Sequence, residues 1–430
     1  MKKYSTLLFS VMAIAIFSSC SISKKINKPA SAYILNNTNF VSAHTGISIY
    51  EPATGKYWYN YQGDKYFTPA SNTKLATCYA AMKYLGDSLT GLQYNIINDT
   101  TLIIKGMGDP SFLHPDYAHN PVFDFLKKYK HIQIIDPKFT EYLGSGWSWD
   151  DYLDYYMAQR SALPIYGDIL KIKLEQDSIL SLTPSFFEKK SQIKERPVKG
   201  FWLTKPWDTN ELIFTKGNQV SREVPFVPDE ETVRNLLQDT LHQEVETIYH
   251  YDGTLNNIIH SQPVDSLLKP MMHRSDNFFA EQSLLMVSQK LLGFMSDRKI
   301  IDTLLKTDYK MMPQMPGWVD GSGLSRFNLF SPKDIIFILN KMKEDFGMDR
   351  IKNILPTGGT GTISNYYIAD SGYIFVKTGT LNGVVALSGF LYTKKNKLLI
   401  FSVLVNNHRS SSTSIRKGIE KFIQSVRDKY

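Results

Sequence analysis

Three short motifs in this chain hold the functional groups of serine acyl transfer. Ser71 and Lys74 are three residues apart, Ser275 and Asn277 are two apart, and Lys377, Thr378 and Gly379 are consecutive. A serine hydroxyl beside an amine pairs a nucleophile with its base. Residues three apart share a helix face, so these two side chains can meet. A lysine titrates at about pH 10.4 in water, so the site must lower Lys74 before it can accept a proton. Burial does this, and so does a second cation; Lys377 is the candidate cation. The Ser275 hydroxyl can relay a proton to a leaving amine. Asn277 can bind a substrate amide or Lys74. Lys377 and Thr378 can hold a carboxylate, and Gly379 leaves room for close backbone approach. The backbone N–H groups of Ser71 and Thr380 can form an oxyanion hole.

Each motif alone is commonplace. Serine is favoured at helix starts, Ser275-Asp276-Asn277 alone is a capping loop, and Lys377-Thr378-Gly379 alone ends a strand. Their order and local contexts set them apart. Pro69 precedes a helix that runs through Ala76, Tyr79, Ala80, Met82 and Leu85 until Gly86 stops it. Ser275 and Asn277 would splay on a helix, which puts them on the loop leading into 278–290. Tyr373 to Val376 is β-rich and leads into Lys377, so a strand edge can pair with an extended peptide.

The elements needed to position these groups are spread over the chain. Thr45 to Tyr50 and Lys56 to Tyr61 read as a hairpin around a five-residue turn. Tyr373 to Val376, Val384 to Tyr392 and Leu398 to Asn406 read as three successive strands. Ser412 to Val426 is an amphipathic helix with Ile415, Ile419, Phe422, Ile423 and Val426 on one face. The hairpin and the three late strands can complete one antiparallel sheet with helices packed on it. The fold class expected is α+β and multidomain. The 204 residues from Ser71 to Ser275 exceed what a catalytic core needs. Segment 92–255 is therefore expected to be inserted, between catalytic parts 41–91 and 256–430, with helix resuming from about residue 256.

The amino terminus reads as an export signal over 1–19. Lys2 and Lys3 precede an apolar stretch from Leu7 to Phe17, and Ser18 and Ser19 precede Cys20. That stretch is too short to span a bilayer, which takes about 20 apolar residues. Small residues before a cysteine resemble a bacterial lipobox, which implies cleavage before Cys20, lipidation of its thiol and a tether over 20–40. The lipid would be the anchor. Ser21 is not an inner-membrane retention residue, so the expected location is the outer membrane, facing the periplasm. Loss of Lys2 and Lys3 takes the formal charge from +8 to +6. Lys24, Lys25 and Lys28 in the tether would suit an anionic lipid surface. No basic run is interleaved with aromatics, so nucleic acid is not an expected partner. The second of the two cysteines, Cys78, sits in an apolar helical stretch and reads as a core residue. The nine histidines are scattered, and no metal or other cofactor is expected.

The motifs and their surroundings resemble the low-molecular-mass class C penicillin-binding proteins, a family of D-alanyl-D-alanine carboxypeptidases and endopeptidases. The segments that carry the resemblance are Pro69 to Leu75, His273 to Asn277 with Ala280-Glu281, and Lys377 to Leu381. Gly106 to Pro110, Trp149 to Tyr152, Asp320 to Arg326, Leu355-Pro356 and Gly361-Thr362 join them. The resemblance spans nearly all of the mature chain. It implies a penicilloyl-serine transferase fold, covalent binding of β-lactams, and hydrolysis of peptidoglycan stem peptides or cross-links. It makes Ser71 the nucleophile, Lys74 the base, Ser275 and Asn277 relay and positioning groups, and Lys377 and Thr378 the carboxylate site. The stretch from Thr362 to Val376 departs from the pattern, since it lacks the usual arginine-rich run.

Two rivals remain at this stage. A β-lactamase or esterase-like hydrolase is one, but class A β-lactamases place a deacylating glutamate between the last two motifs. That interval holds Glu281 and Glu344, and neither is followed four residues later by Asn. A non-catalytic peptidoglycan-binding lipoprotein is the other, and the intact motifs argue against it.

Overall fold

The structure is a computed structural model, and it describes residues 22–136, 138–174, 180–194, 200–215 and 220–430. The signal, Cys20 and Ser21 lie outside the described residues.

The chain opens with helix α1 (22–30), which runs on as a wider turn, Ser31–Leu35. Ile26, Ala30 and Ile34 recur every four residues and are fully buried. That apolar stripe packs on the C-terminal helix and the catalytic sheet. The tether expected over 20–40 is thus, from residue 22, a folded part of the domain. Strands β1 (His44–Glu51) and β2 (Lys56–Tyr61) then form the expected hairpin. A short 3-10 turn, Ala70–Thr73, leads into α2 (Lys74–Tyr84), which buries Cys78.

The insertion follows. It comprises β3 (Ser88–Asn98), β4 (Thr101–Gly106), α3 (Pro121–Leu126), β5 (His131–Ile135), β6 (Ile169–Leu174), β7 (Leu180–Thr183), β8 (Ser191–Lys194), β9 (Leu203–Thr204), β10 (Leu212–Thr215), β11 (Val220–Pro225), α4 (Glu230–Leu241), β12 (Glu244–Ile248) and β13 (Asn257–Pro263). One mixed sheet has the order β12-β5-β4-β3-β13, and two three-stranded sheets accompany it. Leu102, Ile132, Phe187 and Leu236 belong to a core of its own. The boundaries expected at 92 and 255 cut this sheet, because β3 begins at Ser88 and pairs with β13 as far as Pro263. Residues 257–263 were expected to turn helical. They form an exposed outer strand instead, whose polar residues gave no core-facing alternation in sequence.

The catalytic part resumes with α5 (Val264–His273), α6 (Asn277–Leu292), α7 (Asp297–Lys306) and α8 (Pro332–Ile354). Strands β14 (Ile374–Leu381), β15 (Val384–Tyr392) and β16 (Leu398–Asn406) precede α9 (Ser412–Lys429). The sheet order is β14-β15-β16-β1-β2, antiparallel at every pairing. Helices α2, α5, α6 and α8 cover one face, and α1 and α9 cover the other. Strand β14 is the edge. It extends five residues past Val376, so Lys377-Thr378-Gly379 lies within the strand rather than at its end.

Candidate active site

Three elements converge at this edge. The 3-10 turn presents Ser71, the loop before α6 presents Ser275 and Asn277, and β14 presents Lys377 and Thr378. Ala70 and Ser275 both have left-handed backbone, at φ 47° and 62°. Such conformations are costly for residues with a Cβ and persist where the surroundings enforce them. Asp276 caps α6 by accepting from the Phe279 amide at 3.0 Å, which fixes the bend that turns Ser275 toward the cleft.

Gly379 has a specific steric job. A Cβ there would fall 2.7 Å from the Pro69 carbonyl oxygen and 3.1 Å from Ala70 Cβ. The sequence reading kept that space for a substrate backbone, but the chain's own nucleophile turn fills it. Strand and turn are thereby locked together, and Asn72 reinforces the contact by donating to the Lys377 carbonyl at 3.1 Å.

Lys74 is fully buried and has three neighbours. Its Nζ lies 3.0 Å from Ser71 Oγ, 2.7 Å from Asn277 Oδ1 and 2.7 Å from the Ser322 carbonyl. Asn277 Oδ1 and the carbonyl can only accept. A neutral amine therefore spends both its N–H groups on them and turns its lone pair to the Ser71 hydroxyl. Burial lowers Lys74 to about 8, while the carboxylates of Asp320, Glu281 and Asp276 favour its charged form. The sequence offers burial and a second cation, Lys377, as causes of the lowering. In the structure burial is the one that lowers Lys74, and the repulsion falls on Lys377, which burial and the Lys74 charge hold well below the ordinary lysine range.

Lys377 is also fully buried, and its Nζ donates to Ser275 Oγ at 2.7 Å and to the Thr378 carbonyl at 2.8 Å. Its amine thus sits behind Ser275. The Thr378 hydroxyl donates to Thr362 Oγ1 at 2.8 Å, and Thr362 lines a cleft of about 580 Å³ that opens beside Ser275 and Asn277. The Val376 amide bonds to Pro356 on the side away from β15. Strand alternation turns the Thr378 and Thr380 amides to the same open side. Arginines reach this end of β14 from elsewhere in the chain. Arg416 of α9 donates to Thr380 Oγ1 at 2.6 Å, and Arg326 donates to the Asn382 carbonyl.

Every residue singled out in the three motifs meets here. Four further contributors were not assigned roles from sequence. Ser322 supplies the carbonyl under Lys74, and its own amide donates to Glu281 Oε1 at 2.7 Å. Tyr156 of the insertion accepts from Asn277 Nδ2 at 2.9 Å, which sets the amide's orientation. Asp320 accepts from the amides of Gly323 and Ser325 and so shapes the Ser322 turn. Thr362 pairs with Thr378. Three of the four lie in Asp320 to Arg326 or Gly361-Thr362, segments that carried the family resemblance.

A chain with a helix-covered antiparallel sheet, a Ser–Lys pair at a helix start and a second Ser–Lys pair across the cleft is a serine acyl transferase of the penicillin-binding class. It belongs to the D-Ala-D-Ala carboxypeptidase 3 (S13) family, whose profile matches residues 29–195 and 243–426. Among curated relatives it is similar to the penicillin-sensitive carboxypeptidase A of Dictyostelium discoideum, at 23% identity over 87% of this chain and 85% of that protein. It is also similar to the D-alanyl-D-alanine carboxypeptidase of an Actinomadura strain, at 24% over 87% and 80%. Among solved structures, penicillin-binding protein 4 of Haemophilus influenzae superposes with a TM-score of 0.75 at 20% identity, covering 93% of this chain and 98% of that one. A predatory peptidoglycan endopeptidase of Bdellovibrio bacteriovorus superposes at 0.55 and 16% identity, covering 90% and 93%.

Proposed function

We propose that this protein is a serine-type D-alanyl-D-alanine carboxypeptidase/endopeptidase that hydrolyses peptidoglycan stem peptides or cross-links and is acylated by β-lactams. The observation that carries the reading is Lys74 Nζ at 3.0 Å from Ser71 Oγ, opposite Ser275 backed by Lys377 at 2.7 Å. The C-terminal carboxylate of the peptide meets the Thr378 and Thr362 hydroxyls, with the Lys377 amine behind them. Ser71 Oγ attacks the carbonyl of the penultimate D-alanine while its proton passes to Lys74. The oxyanion is met by the Ser71 and Thr380 amides. Ser275 then gives its proton to the leaving amine as the C–N bond breaks and takes in its place the proton that Lys74 received from Ser71, which leaves Lys74 neutral again. Water attacks the acyl-serine and gives its proton to Lys74, which passes it to Ser71 Oγ as the ester bond breaks and the shortened peptide leaves. The Haemophilus relative has been solved with a bound β-lactam, and the Actinomadura relative is itself a D-alanyl-D-alanine carboxypeptidase.

The functional test is labelling with a fluorescent penicillin, followed by mass spectrometry of muropeptides after incubation. Wild type takes one label and releases D-alanine or splits cross-links, and Ser71→Ala does neither. Undiminished label in Ser71→Ala rejects the reading, and rapid nitrocefin turnover by wild type favours a β-lactamase. We further propose a lipoprotein cleaved before Cys20 and anchored in the outer membrane, facing the periplasm. The lipobox-like Ser18-Ser19-Cys20 supports this. Cys20→Ala is expected to move the protein from the membrane fraction to the soluble fraction.

A further inference from the structure

At the end of the catalytic sheet opposite the β14–β15 turn, five lysines from three elements gather around one open hollow. Lys24, Lys25 and Lys28 come from α1, Lys395 from the β15–β16 turn and Lys429 from the end of α9; with Tyr430 they line about 560 Å³. All five are exposed. Among the described residues none of them is within ion-pair distance of an Asp or Glu. Asp428, the acid closest in sequence to Lys429, pairs with Lys394 at 2.9 Å. The Tyr430 main-chain oxygen accepts from the Lys395 amide at 2.8 Å. Convergence of like charges with so little compensation is unfavourable for the free protein, and it suits a polyanionic partner.

We propose that this cluster docks on the surface of an anionic lipid bilayer. The three α1 lysines lie within nine residues of Cys20, yet the surface does not depend on lipidation there, because α1 is fixed to the sheet and α9 by Ile26, Ala30 and Ile34. Lys395 and Lys429 are far away in sequence and are brought in by the fold alone. Each lysine near an anionic membrane strengthens partitioning roughly fivefold. The geometry also sets orientation. The lysines belong to the face covered by α1 and α9, whereas Ser71 enters from the helices on the opposite face. Docking therefore turns the catalytic cleft away from the bilayer.

The test uses the mature chain carrying Cys20→Ser, with vesicles of phosphatidylglycerol in phosphatidylcholine against phosphatidylcholine alone. Binding is expected only to the anionic vesicles. It should vanish in molar salt, where screening shortens to about 3 Å. Reversal of Lys395 and Lys429 to Glu is expected to weaken binding at least about tenfold, with penicillin acylation unchanged. Equal binding to neutral vesicles overturns the inference. So does full binding by the Lys395→Glu/Lys429→Glu protein, which would reduce the effect to the amino-terminal lysines. Tighter capture by purified peptidoglycan sacculi than by anionic vesicles would make the wall the partner and overturn it too. Penicillin labelling is read separately, so failure here leaves the enzymatic reading standing.

Discussion

Lys377 Nζ donates to Ser275 Oγ at 2.7 Å, which joins an edge strand to a loop 102 residues earlier. The contact leaves the Ser275 proton free to point into the cleft. Ser275→Ala should therefore lower kcat for D-alanine release by about 10²–10⁴-fold, the range of a lost proton-transfer group. Penicillin should still label Ser71, more slowly, because Lys74 keeps its own contacts to Asn277 and Ser322. Steady-state release of D-alanine and single-turnover labelling measure the two effects, and unchanged kcat would remove Ser275 from the proton path.

The pH dependence follows from Lys74. The proposed mechanism uses its neutral form as the base, and burial lowers it from 10.5 to about 8. Below that pH the amine is protonated and has no lone pair, so penicillin acylation should rise as pH climbs through about 8 and level off above it. Glu281 is fully buried near Lys74, and burial followed by Asp320 pushes it up to about 7. Above that pH its carboxylate favours the Lys74 ammonium. Glu281→Gln should shift the limb to lower pH. A limb that stays near the value of free lysine, or moves upward in the variant, contradicts the assignment.

Gly379→Ala tests the lock between strand and nucleophile turn. The new Cβ meets the Pro69 carbonyl at 2.7 Å, and neither backbone is a flexible side-chain end. Overpacking of this kind costs about 1–3 kcal/mol. The displacement falls on Ser71, so acylation should drop more than about tenfold, since small misplacements of reacting groups are expensive. A melting curve and the penicillin acylation rate separate the two consequences.

The convergence of Ser71, Lys74, Ser275, Asn277 and Lys377 was legible because the proposed chemistry demands residue types at fixed spacing, and the sheet because β1, β2 and the late strands alternate strongly. Roles for Ser322, Tyr156 and Thr362 were not, since a backbone carbonyl or a fold-delivered hydroxyl leaves no spacing signature of its own. Of the two causes expected for the Lys74 shift, burial operates on Lys74, whereas the repulsion between the lysines falls on Lys377. Which of two buried lysines yields depends on the carboxylates around each, and Asp320 and Glu281 reach Lys74 only in three dimensions. The insertion's edges were misjudged because Asn257–Pro263 is an exposed strand without a buried side. Helix α1 was read as tether because its lysines dominate composition, whereas Ile26, Ala30 and Ile34 decide its packing.

That last point is testable by stability. Ile34 is fully buried against the α9 layer. Ile34→Ala should cost about 2–4 kcal/mol, visible as a lower denaturation midpoint with an unchanged slope. A free tether would leave the midpoint where it was.

Thr362 offers the sharpest test of substrate recognition, because it touches no group that moves a proton. Its hydroxyl accepts from Thr378 Oγ1 at 2.8 Å, and both face the side where the β14 amides are open. Thr362→Val keeps the volume and removes the partner, so Thr378 loses its orientation toward a carboxylate. The expected result is a rise in KM for an acyl-D-alanyl-D-alanine peptide of about tenfold, with kcat nearly unchanged, the pattern of a lost uniform binding contact. A substrate analogue amidated at its C-terminus should be cleaved poorly by wild type and about equally by the variant. If the variant instead lowers kcat for both peptides by the same factor, the Thr362–Thr378 pair positions the strand rather than the carboxylate, and the binding role assigned to it fails.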